Sequence, residues 1–281
     1  MDKIKENYVS IYYNEDLAVV QANELVRSRQ DDLTILEAKL IRLAIAQVLK
    51  DDTDLKTYKC NVVDLAEFLQ ISPDNIYRDI QELSKSIMKK SIFIKDKDSR
   101  KQGYKIFHWI DYIEYKDGVI TFRLSESLKP YLLGLQELFS RYEYDVVISL
   151  PTNNSIRLYE LLASYQNIAY KKIIDHSFTD IPLEKNEYIF TIDWLRDYFN
   201  CAEKYPNTGD FIRRIIEPSI QAIKNNTLMS VEYRTVKEKR SIKAVIFKIK
   251  DWADSPEEAQ KAIEKLREKD RKNGRRILLN D

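Results

Sequence analysis

The chain has 281 residues, of which 44% are hydrophobic and 32% are charged, and its net charge is +1. This length and apolar content suit two globular domains and exclude a wholly disordered chain, while the near-neutral charge does not by itself indicate nucleic-acid binding. No run reaches the roughly 20 apolar residues of a membrane span, and the N-terminus lacks the apolar segment of a secretory signal, so we expect a cytoplasmic protein without a membrane partner.

The first half of the chain predicts a helix-turn-helix. A long apolar helix is predicted over residues 36–49, and residues 58–71 read as a short strand, a brief helix and a turn. Ser72 and Pro73 form a pair typical of a helix start. The helix that follows places apolar residues at helical spacing, and these are Ile76, Ile80, Leu83 and Ile87.

Strands follow this helix-turn-helix. Residues 91–95, 104–115 and 119–124 alternate apolar and polar side chains, and Asp117-Gly118 between the last two is a strong hairpin turn signal. The charged segment 95–101 is predicted as a loop between strands. A helix-turn-helix followed by a strand pair with a charged loop is the plan of a winged helix, so we interpret this loop as a wing.

The same order of elements returns in the second half. After a linker at residues 151–154, the sequence predicts a long helix at 156–165. The strand is then predicted at 188–191, the first short helix at 194–199, the second helix from Asp210, and two strands at 229–235 and 244–250.

The two copies can be aligned residue by residue. Leu65 corresponds to Leu195, 130 positions later, whereas Arg78 corresponds to Arg213, 135 positions later. The same larger offset aligns Ser84 with Ser219 and Lys89 with Lys224. The five extra residues fall in the turn of the second copy, where insertions disturb a fold least.

We therefore predict an α+β fold of two tandem winged-helix domains, at residues 1–140 and 141–252. A charged helical tail is predicted at 253–281, starting at the capping-box sequence of residues 255–258 and ending near Gly274. Cys60 and Cys201 are far apart and form no CxxC pair, so we expect two core side chains rather than a disulfide or zinc site.

The second helix of the second copy has two different sides. Apolar or small side chains cover one side, and they are Phe211, Ile212, Ile215, Ile216, Ser219, Ile220, Ala222 and Ile223. Polar side chains share the opposite side, and they are Arg213, Arg214, Glu217, Gln221 and Lys224. Arg and Gln can make bidentate contacts to base edges in DNA. A merely solvated helix face is the alternative, and Pro218 predicts a bend or local irregularity.

The corresponding side of the first copy's helix carries Asp79 in place of Arg214, which predicts weaker docking there, mainly to phosphates. Alternating acids in the loop at 95–101 leave a merely solvated hairpin open as an alternative. The candidate DNA-contacting residues are Arg213, Arg214, Gln221 and Lys224 in the second copy's helix, Lys239, Arg240 and Lys243 in its hairpin, Arg78, Gln81, Lys85 and Lys89 in the first copy's helix, and Arg100 and Lys101 in its charged loop.

Three stretches of the chain resemble the winged-helix plasmid replication initiators that bind iterons, short repeated sequences at a plasmid origin. They are residues 23–27 (NELVR) with 33–37 (LTILE), residues 156–162 (IRLYELL), and residues 210–218 (DFIRRIIEP) leading to 225–228 (NNTL). The resemblance runs from about residue 17 to 250 and leaves the tail outside it.

The resemblance implies a function and a set of partners. Such initiators read bases with the C-terminal winged helix, and they use the N-terminal one for further DNA contact or for dimerisation. Their monomers start replication, whereas their dimers typically repress their own promoter. They melt an AT-rich region and recruit host initiator and helicase proteins. The implied partners are therefore duplex DNA at origin repeats, a second copy of the chain, and these host proteins.

Three other functions compete with this one. DNA-cutting rolling-circle initiators use a tyrosine and two metal-binding histidines, but His108 and His176 form no His-x-His pair, and no phosphate-binding GxxxxGK[ST] loop is present. We therefore expect no enzymatic activity and no cofactor. A winged-helix transcriptional regulator without a replication role stays open, as does a protein-only interaction module. We expect the apolar hairpins around Phe107, Trp109 and Tyr112 to support dimerisation.

Overall fold

The computed structural model describes residues 8–14, 16–96, 103–166 and 181–250, and Glu257, Lys261, Glu264 and Glu268 in the tail. These four tail positions are helical, and the rest of the predicted tail helix lies outside the described residues. Contacts divide the chain into two compact units, residues 1–148 and 149–281, whereas the sequence interpretation placed the domain boundary after residue 140. Residues 139–143 count with the first unit because they pair there with residues 18–22.

The described ranges contain the following strands: β1 (Tyr8–Ser10), β2 (Ala18–Ala22), β3 (Arg29–Gln30), β4 (Thr57–Asn61), β5 (Ser91–Asp96), β6 (Gly103–His108), β7 (Ile110–Lys116), β8 (Val119–Leu124), β9 (Phe139–Glu143), β10 (Glu187–Thr191), β11 (Val231–Glu238) and β12 (Ser241–Ile249). The helices in the same ranges are α1 (Asn23–Val26), α2 (Ile35–Ala46), α3 (Val62–Phe68), α4 (Pro73–Ile87), α5 (Lys129–Leu132), α6 (Tyr144–Ser149), α7 (Asn153–Gln166), α8 (Ile192–Tyr198), α9 (Thr208–Phe211) and α10 (Glu217–Asn226). A 3₁₀ turn spans Glu126–Leu128, and a π-helical turn spans Ile212–Ile216.

The first unit contains the predicted helix-turn-helix. Helix α2 begins with a capping box between Thr34 and Glu37, and helices α3 and α4 follow strand β4 directly. The four apolar residues of α4 predicted to face the core are all buried. Its main sheet has the strand order β1-β4-β8-β7, in which β1 runs parallel to β4 and the other pairs are antiparallel.

The wing of the first unit is the hairpin β7–β8. Its turn residues Asp117 and Gly118 have φ angles of 50° and 77°, as a tight two-residue hairpin turn requires. Strand β8 also pairs with β4, so the hairpin belongs to the same sheet as the strand that precedes the helix-turn-helix. The hairpin predicted at these residues is confirmed.

The prediction of one strand over residues 104–115 is wrong. The chain bends at the fully buried Trp109, and strands β6 and β7 on either side belong to different sheets. Strand β6 pairs with β5 in a sheet of order β3-β5-β6. Strands β5 and β6, on either side of the charged segment interpreted as a wing, therefore both lie outside the winged-helix sheet, and residues 97–102 of that segment are outside the described residues.

The second unit has the same winged-helix arrangement with fewer additional strands. Its sheet has the order β10-β12-β11 and is antiparallel throughout. Helix α7 starts at Asn153, so the proposed linker at residues 151–154 is half helical. The second helix of the motif begins at Thr208, where the side chain of Asn207 accepts a hydrogen bond from the Gly209 N–H.

The internal repeat holds at the level of the backbone. Strands β4 and β10 have bounds 130 positions apart, and so do helices α3 and α8. Two residues after the end of each short helix the backbone enters the left-handed region, at Gln70 with φ 53° and at Asn200 with φ 49°. The preceding N–H donates four residues back over 2.9 Å in both copies, from Leu69 and from Phe199. The first offset read from the sequence is confirmed.

The second offset is correct for only part of the helix. Ile76 and Ile80 match the buried Phe211 and Ile215 at 135 positions, as proposed. The buried Leu83 and Ile87 match buried residues 136 positions later, which are Ser219 and Ile223. The π-helical turn inserts one residue between the two parts, so the core-facing residues after it match at the larger offset of 136 positions. Ser84 and Ser219 still share one contact at 135 positions, since each hydroxyl donates to the carbonyl four residues back, of Ile80 and of Ile215.

Candidate nucleic-acid interface

The helix formed by α9, the π-helical turn and α10, residues 208–226, is called here the second recognition helix. Seven of the eight side chains predicted to face the core are buried, and Ala222 is half-buried. The predicted irregularity lies next to Pro218, because the N–H of Glu217 donates to the Ile212 carbonyl five residues back instead of four. The apolar side thus fixes the helix against its unit.

The polar side of this helix is open to solvent, as predicted. Arg213, Arg214, Glu217, Gln221 and Lys224 are all exposed. Gln221 donates to Asn225 over 3.0 Å, and the guanidinium of Arg214 lies 6.0 Å from the ring centre of Tyr205. These five side chains form the polar arc. Their exposure leaves them available to a ligand as wide as duplex DNA.

Arg213 is the member of the polar arc with an ion-pair partner. Its guanidinium lies 2.5 Å from the carboxylate of Asp210, one turn earlier, and the two side chains are 67% and 42% exposed. Exposed pairs of this kind contribute about 0–1 kcal/mol to stability. The pair orients Arg213 without preventing it from binding a base or a phosphate.

The hairpin β11–β12 carries the second group of cations. Its turn residues are Lys239, with φ 54°, and Arg240. Near them the ladder register steps from Ala244 to Ile242, so Lys243 is the extra residue of a β-bulge. Lys237, Lys239, Arg240 and Lys243 are all exposed. These four cations are called the wing-tip cations.

Cations further from the tip are neutralised within the unit. Arg234 makes an ion pair with the buried Glu187 at 2.9 Å, and this hydrogen bond lowers the pKa of Glu187 below its usual value. Lys248 pairs with Glu184. The positive charge of the hairpin is therefore concentrated at its tip.

A contact that the sequence did not indicate joins the hairpin to the second recognition helix. The Tyr233 hydroxyl donates to Oε1 of Glu217 over 2.6 Å. Burial, followed by this hydrogen bond, raises the pKa of Tyr233 to about 12. The hydroxyl therefore stays protonated near neutral pH and keeps its role as donor. Strand alternation shows that Tyr233 shares a face with Val231 but not which helix residue it meets.

The corresponding helix of the first unit, α4, presents its cations differently. Arg78 donates two hydrogen bonds to Asp79, at 2.8 and 3.0 Å, and Lys85 lies 3.0 Å from Glu82. Gln81 and Lys89 are exposed. Both candidate cations on α4 are thus balanced by neighbouring carboxylates, and Lys89 lies in the turn just after the helix. This favours weaker attraction to phosphates than at the second recognition helix.

The wing of the first unit holds a residue that the sequence interpretation missed. Lys116 is exposed at the end of β7, next to the hairpin turn, in the strand that corresponds to β11. The candidates Arg100 and Lys101 lie outside the described residues. The Asp117-Gly118 turn is the sequence signal that marks this wing, whereas the charged run at 95–101 does not.

Two of the three expected dimerisation residues need correction, whereas Tyr112 is exposed as expected, by 37%. Trp109 is fully buried, and the ring of Phe107 stacks on Tyr131 with centres 5.9 Å apart. Strand β6 instead exposes Tyr104 and Ile106, by 62% and 57%. The bend at Trp109 turns its side chain into the core. The exposed apolar surface of the hairpin β5–β6 is therefore formed by strand β6.

The part of the chain that the structure describes offers little to other classes of site. No group of three His, Cys, Asp or Glu side chains there could hold a metal ion, and no helix there has the length and apolar character to cross a membrane. His176 lies outside the described residues. Cys60 and Cys201 are both buried, which confirms them as core side chains.

Comparisons with known proteins agree with this architecture. A family model described as "Initiator Replication protein, WH1" matches residues 18–163, and one described as "Initiator Rep protein, WH2" matches residues 191–249. The PI protein of Escherichia coli is 24% identical over 72% of this chain and 71% of its own length. An uncharacterized 27.6 kDa protein of Escherichia coli is 21% identical over 78% of this chain and 90% of its own length.

Solved structures give a more distant likeness. Domains 2 and 3 of RctB cover 83% of this chain and 87% of that chain, with 11% identity and a TM-score of 0.40. A second structure of the same domains covers 78% and 82%, with a TM-score of 0.39.

Proposed function

Because the chain belongs to the family of initiator replication proteins with WH1 and WH2 domains, and is a plasmid replication initiator, we propose that it binds iterons at its origin through the second recognition helix and the wing-tip cations. The observation that carries this proposal is the separation of the two sides of that helix. One side is buried in its unit, and the other exposes two arginines, a glutamine and a lysine.

The proposed binding mode follows from the chemistry of these side chains. A recognition helix enters the major groove, where Arg213, Arg214 and Gln221 reach base edges or phosphates. The wing-tip cations contact the phosphate backbone, which sets affinity but carries no sequence information. Lys85 on helix α4 and Lys89 just after it make further phosphate contacts.

The later steps are proposed from the resemblance to iteron-binding initiators. Bound monomers open an adjacent AT-rich segment and recruit host initiator and helicase proteins, and a dimer represses the chain's own promoter. In this proposal the protein acts by binding and assembly, without cutting DNA.

Specific and salt-dependent duplex binding is the expected result that tests the proposed function. Each phosphate neutralised by a cation adds about 0.9 to the slope of log K against log salt concentration. Changing Lys239 and Arg240 together to alanine should therefore reduce that slope by about 2. Binding isotherms at several salt concentrations, with origin repeats and scrambled duplexes, measure both effects. Equal affinity for the two DNAs would remove the claim of sequence-specific binding.

Dimerisation should depend on the exposed side of β6. This strand is the edge of the sheet β3-β5-β6, and Tyr104 on it stacks with Phe93 at 5.0 Å. Exposed apolar side chains on an edge strand favour pairing with another chain. Ile106→Asp should weaken dimerisation by roughly tenfold, about 1.4 kcal/mol, because a charge replaces an apolar contact.

Sedimentation across a wide concentration range measures this effect. Val63→Asp is the matched control, since Val63 is 50% exposed on α3 and lies outside the proposed surface. If the wild type stays monomeric at all concentrations, or both variants lose dimerisation equally, the assignment of this surface is wrong.

A further inference from the structure

From the contact between Glu217 and Tyr233, we infer that Glu217 selects cytosine at one base pair of the binding site and that Tyr233 is the positioning residue that holds its carboxylate. The inference rests on the proposed function, because it requires the second recognition helix to face base edges. It adds an acidic specificity-determining residue to a site otherwise described by its cations and its glutamine.

Glu217 lies in the middle of the polar arc. Arg214 precedes it by three residues and Gln221 follows it by four, so the three side chains are neighbours on one side of the helix. All three are exposed. Any ligand that contacts Arg214 and Gln221 together therefore passes over Glu217.

The carboxylate of Glu217 is not neutralised by the arginines beside it. The guanidinium of Arg213 pairs with Asp210 instead, and no ion pair of Glu217 occurs in the described ranges. A bare carboxylate on a DNA-facing surface is repelled by phosphates, which costs affinity. A direct hydrogen bond from the DNA to this carboxylate offsets that repulsion.

Tyr233 fixes where the carboxylate points. It lies on β11, opposite Phe247 of β12, so the strand ladder holds its backbone. Its hydroxyl bonds Oε1, and among the described residues no donor is bonded to Oε2. With the pKa of Tyr233 at about 12, this arrangement persists across the physiological pH range. One oxygen is held by the protein, and the other is available to a donor in the groove.

The major groove provides one base that suits a lone acceptor. Cytosine presents its N4 amino group as a donor, and Glu is a known partner for it. Guanine presents two acceptors, and thymine presents an acceptor and a methyl group, so both repel or exclude a carboxylate. Adenine places the N7 acceptor beside its N6 donor and is a better partner for Gln. Glu217 therefore favours cytosine over the other three bases.

The test compares base preferences along the origin repeat. The wild-type protein and the variants Glu217→Gln and Tyr233→Phe are each titrated with duplexes in which every position is changed in turn to the other three bases. We expect the wild type to prefer cytosine at one position by roughly fivefold to tenfold, the lower end for a mismatched base pair. Glu217→Gln should lose that preference, because the Tyr233 hydroxyl donates to the one remaining oxygen and the amide nitrogen, a donor, takes the place of the free acceptor. The other positions should keep their preferences.

Tyr233→Phe keeps the carboxylate but frees it, so its cytosine preference should fall part of the way, with an unchanged melting temperature and unchanged affinity for scrambled DNA. Glu232→Gln is the matched control, since it removes one exposed carboxylate from the adjacent position of β11. It should leave every base preference as in the wild type. A purely structural contact between helix and hairpin would not alter one base position alone.

Two outcomes would contradict this pattern of base preferences, and they can be told apart. If the wild type is specific but Glu217→Gln retains every base preference, Glu217 does not read DNA and the inference is overturned while the proposed function stands. If the wild type shows no preference at any position, the proposed specific binding itself fails, and the inference fails with it.

Discussion

Replacing Ile216 with alanine is expected to lower the free energy of unfolding of the second unit by about 2–5 kcal/mol. Ile216 is 0% exposed on the apolar side of the second recognition helix. Truncation to alanine leaves a cavity and removes apolar contacts that surrounding side chains refill only partly. Denaturant unfolding followed by circular dichroism measures the change.

The control for this prediction lies on the other side of the same helix. Gln221→Ala removes a polar, exposed side chain and should change stability by less than about 0.5 kcal/mol. A loss below about 1 kcal/mol for Ile216→Ala would mean that the π-helical turn rearranges to fill the space, and the assignment of the apolar side as the structural one would be wrong.

Replacing Arg213 with alanine should produce the opposite pattern. Specific binding should weaken by about 1–3 kcal/mol, because a side chain that can contact guanine or phosphate is lost. Stability should change by less than about 0.5 kcal/mol, since the side chain is exposed and its ion pair contributes little. A thermal melt and a binding isotherm for each protein separate the two effects.

Asp210→Ala is the matched control, because it breaks the same ion pair but leaves the arginine in place. If Arg213 contacts DNA, this control should bind at least as tightly as the wild type. Equal losses in the two variants would show that the ion pair acts on the helix rather than on DNA. Unchanged binding by Arg213→Ala would mean that this arginine is not part of the interface.

The repeated architecture could be predicted because its signals are local. The strand, short helix and turn of each copy occupy about fifteen consecutive residues, and their pattern alone aligns Leu65 with Leu195. The single inserted residue in the second recognition helix could not be predicted. Helical periodicity assumes about 3.6 residues per turn, and a π-helical turn of five residues widens the apolar side without breaking the pattern.

The sequence predicts which side chains of the site are exposed, but it does not predict the contacts that they make. Amphipathic spacing alone was enough to predict that all five residues of the polar arc are exposed. The hydrogen bond from Tyr233 to Glu217 and the neutralisation of Arg234 by Glu187 depend on how strands and helices pack across long sequence separations. Period-two alternation also does not show where a strand bends, which is why Trp109 was taken for a surface residue.

The concentration of exposed cations at the tip of the hairpin β11–β12 should affect the rate at which the protein associates with DNA. A molecule with net charge +1 has little overall attraction for DNA, so its long-range field comes from local groups such as the tip of this hairpin. In the proposed binding mode, diffusional encounters are productive mainly when the tip leads, so the hairpin would deliver the adjacent helix to the groove in one orientation. Added salt should slow the arrival of the protein more than it shortens the lifetime of the bound complex.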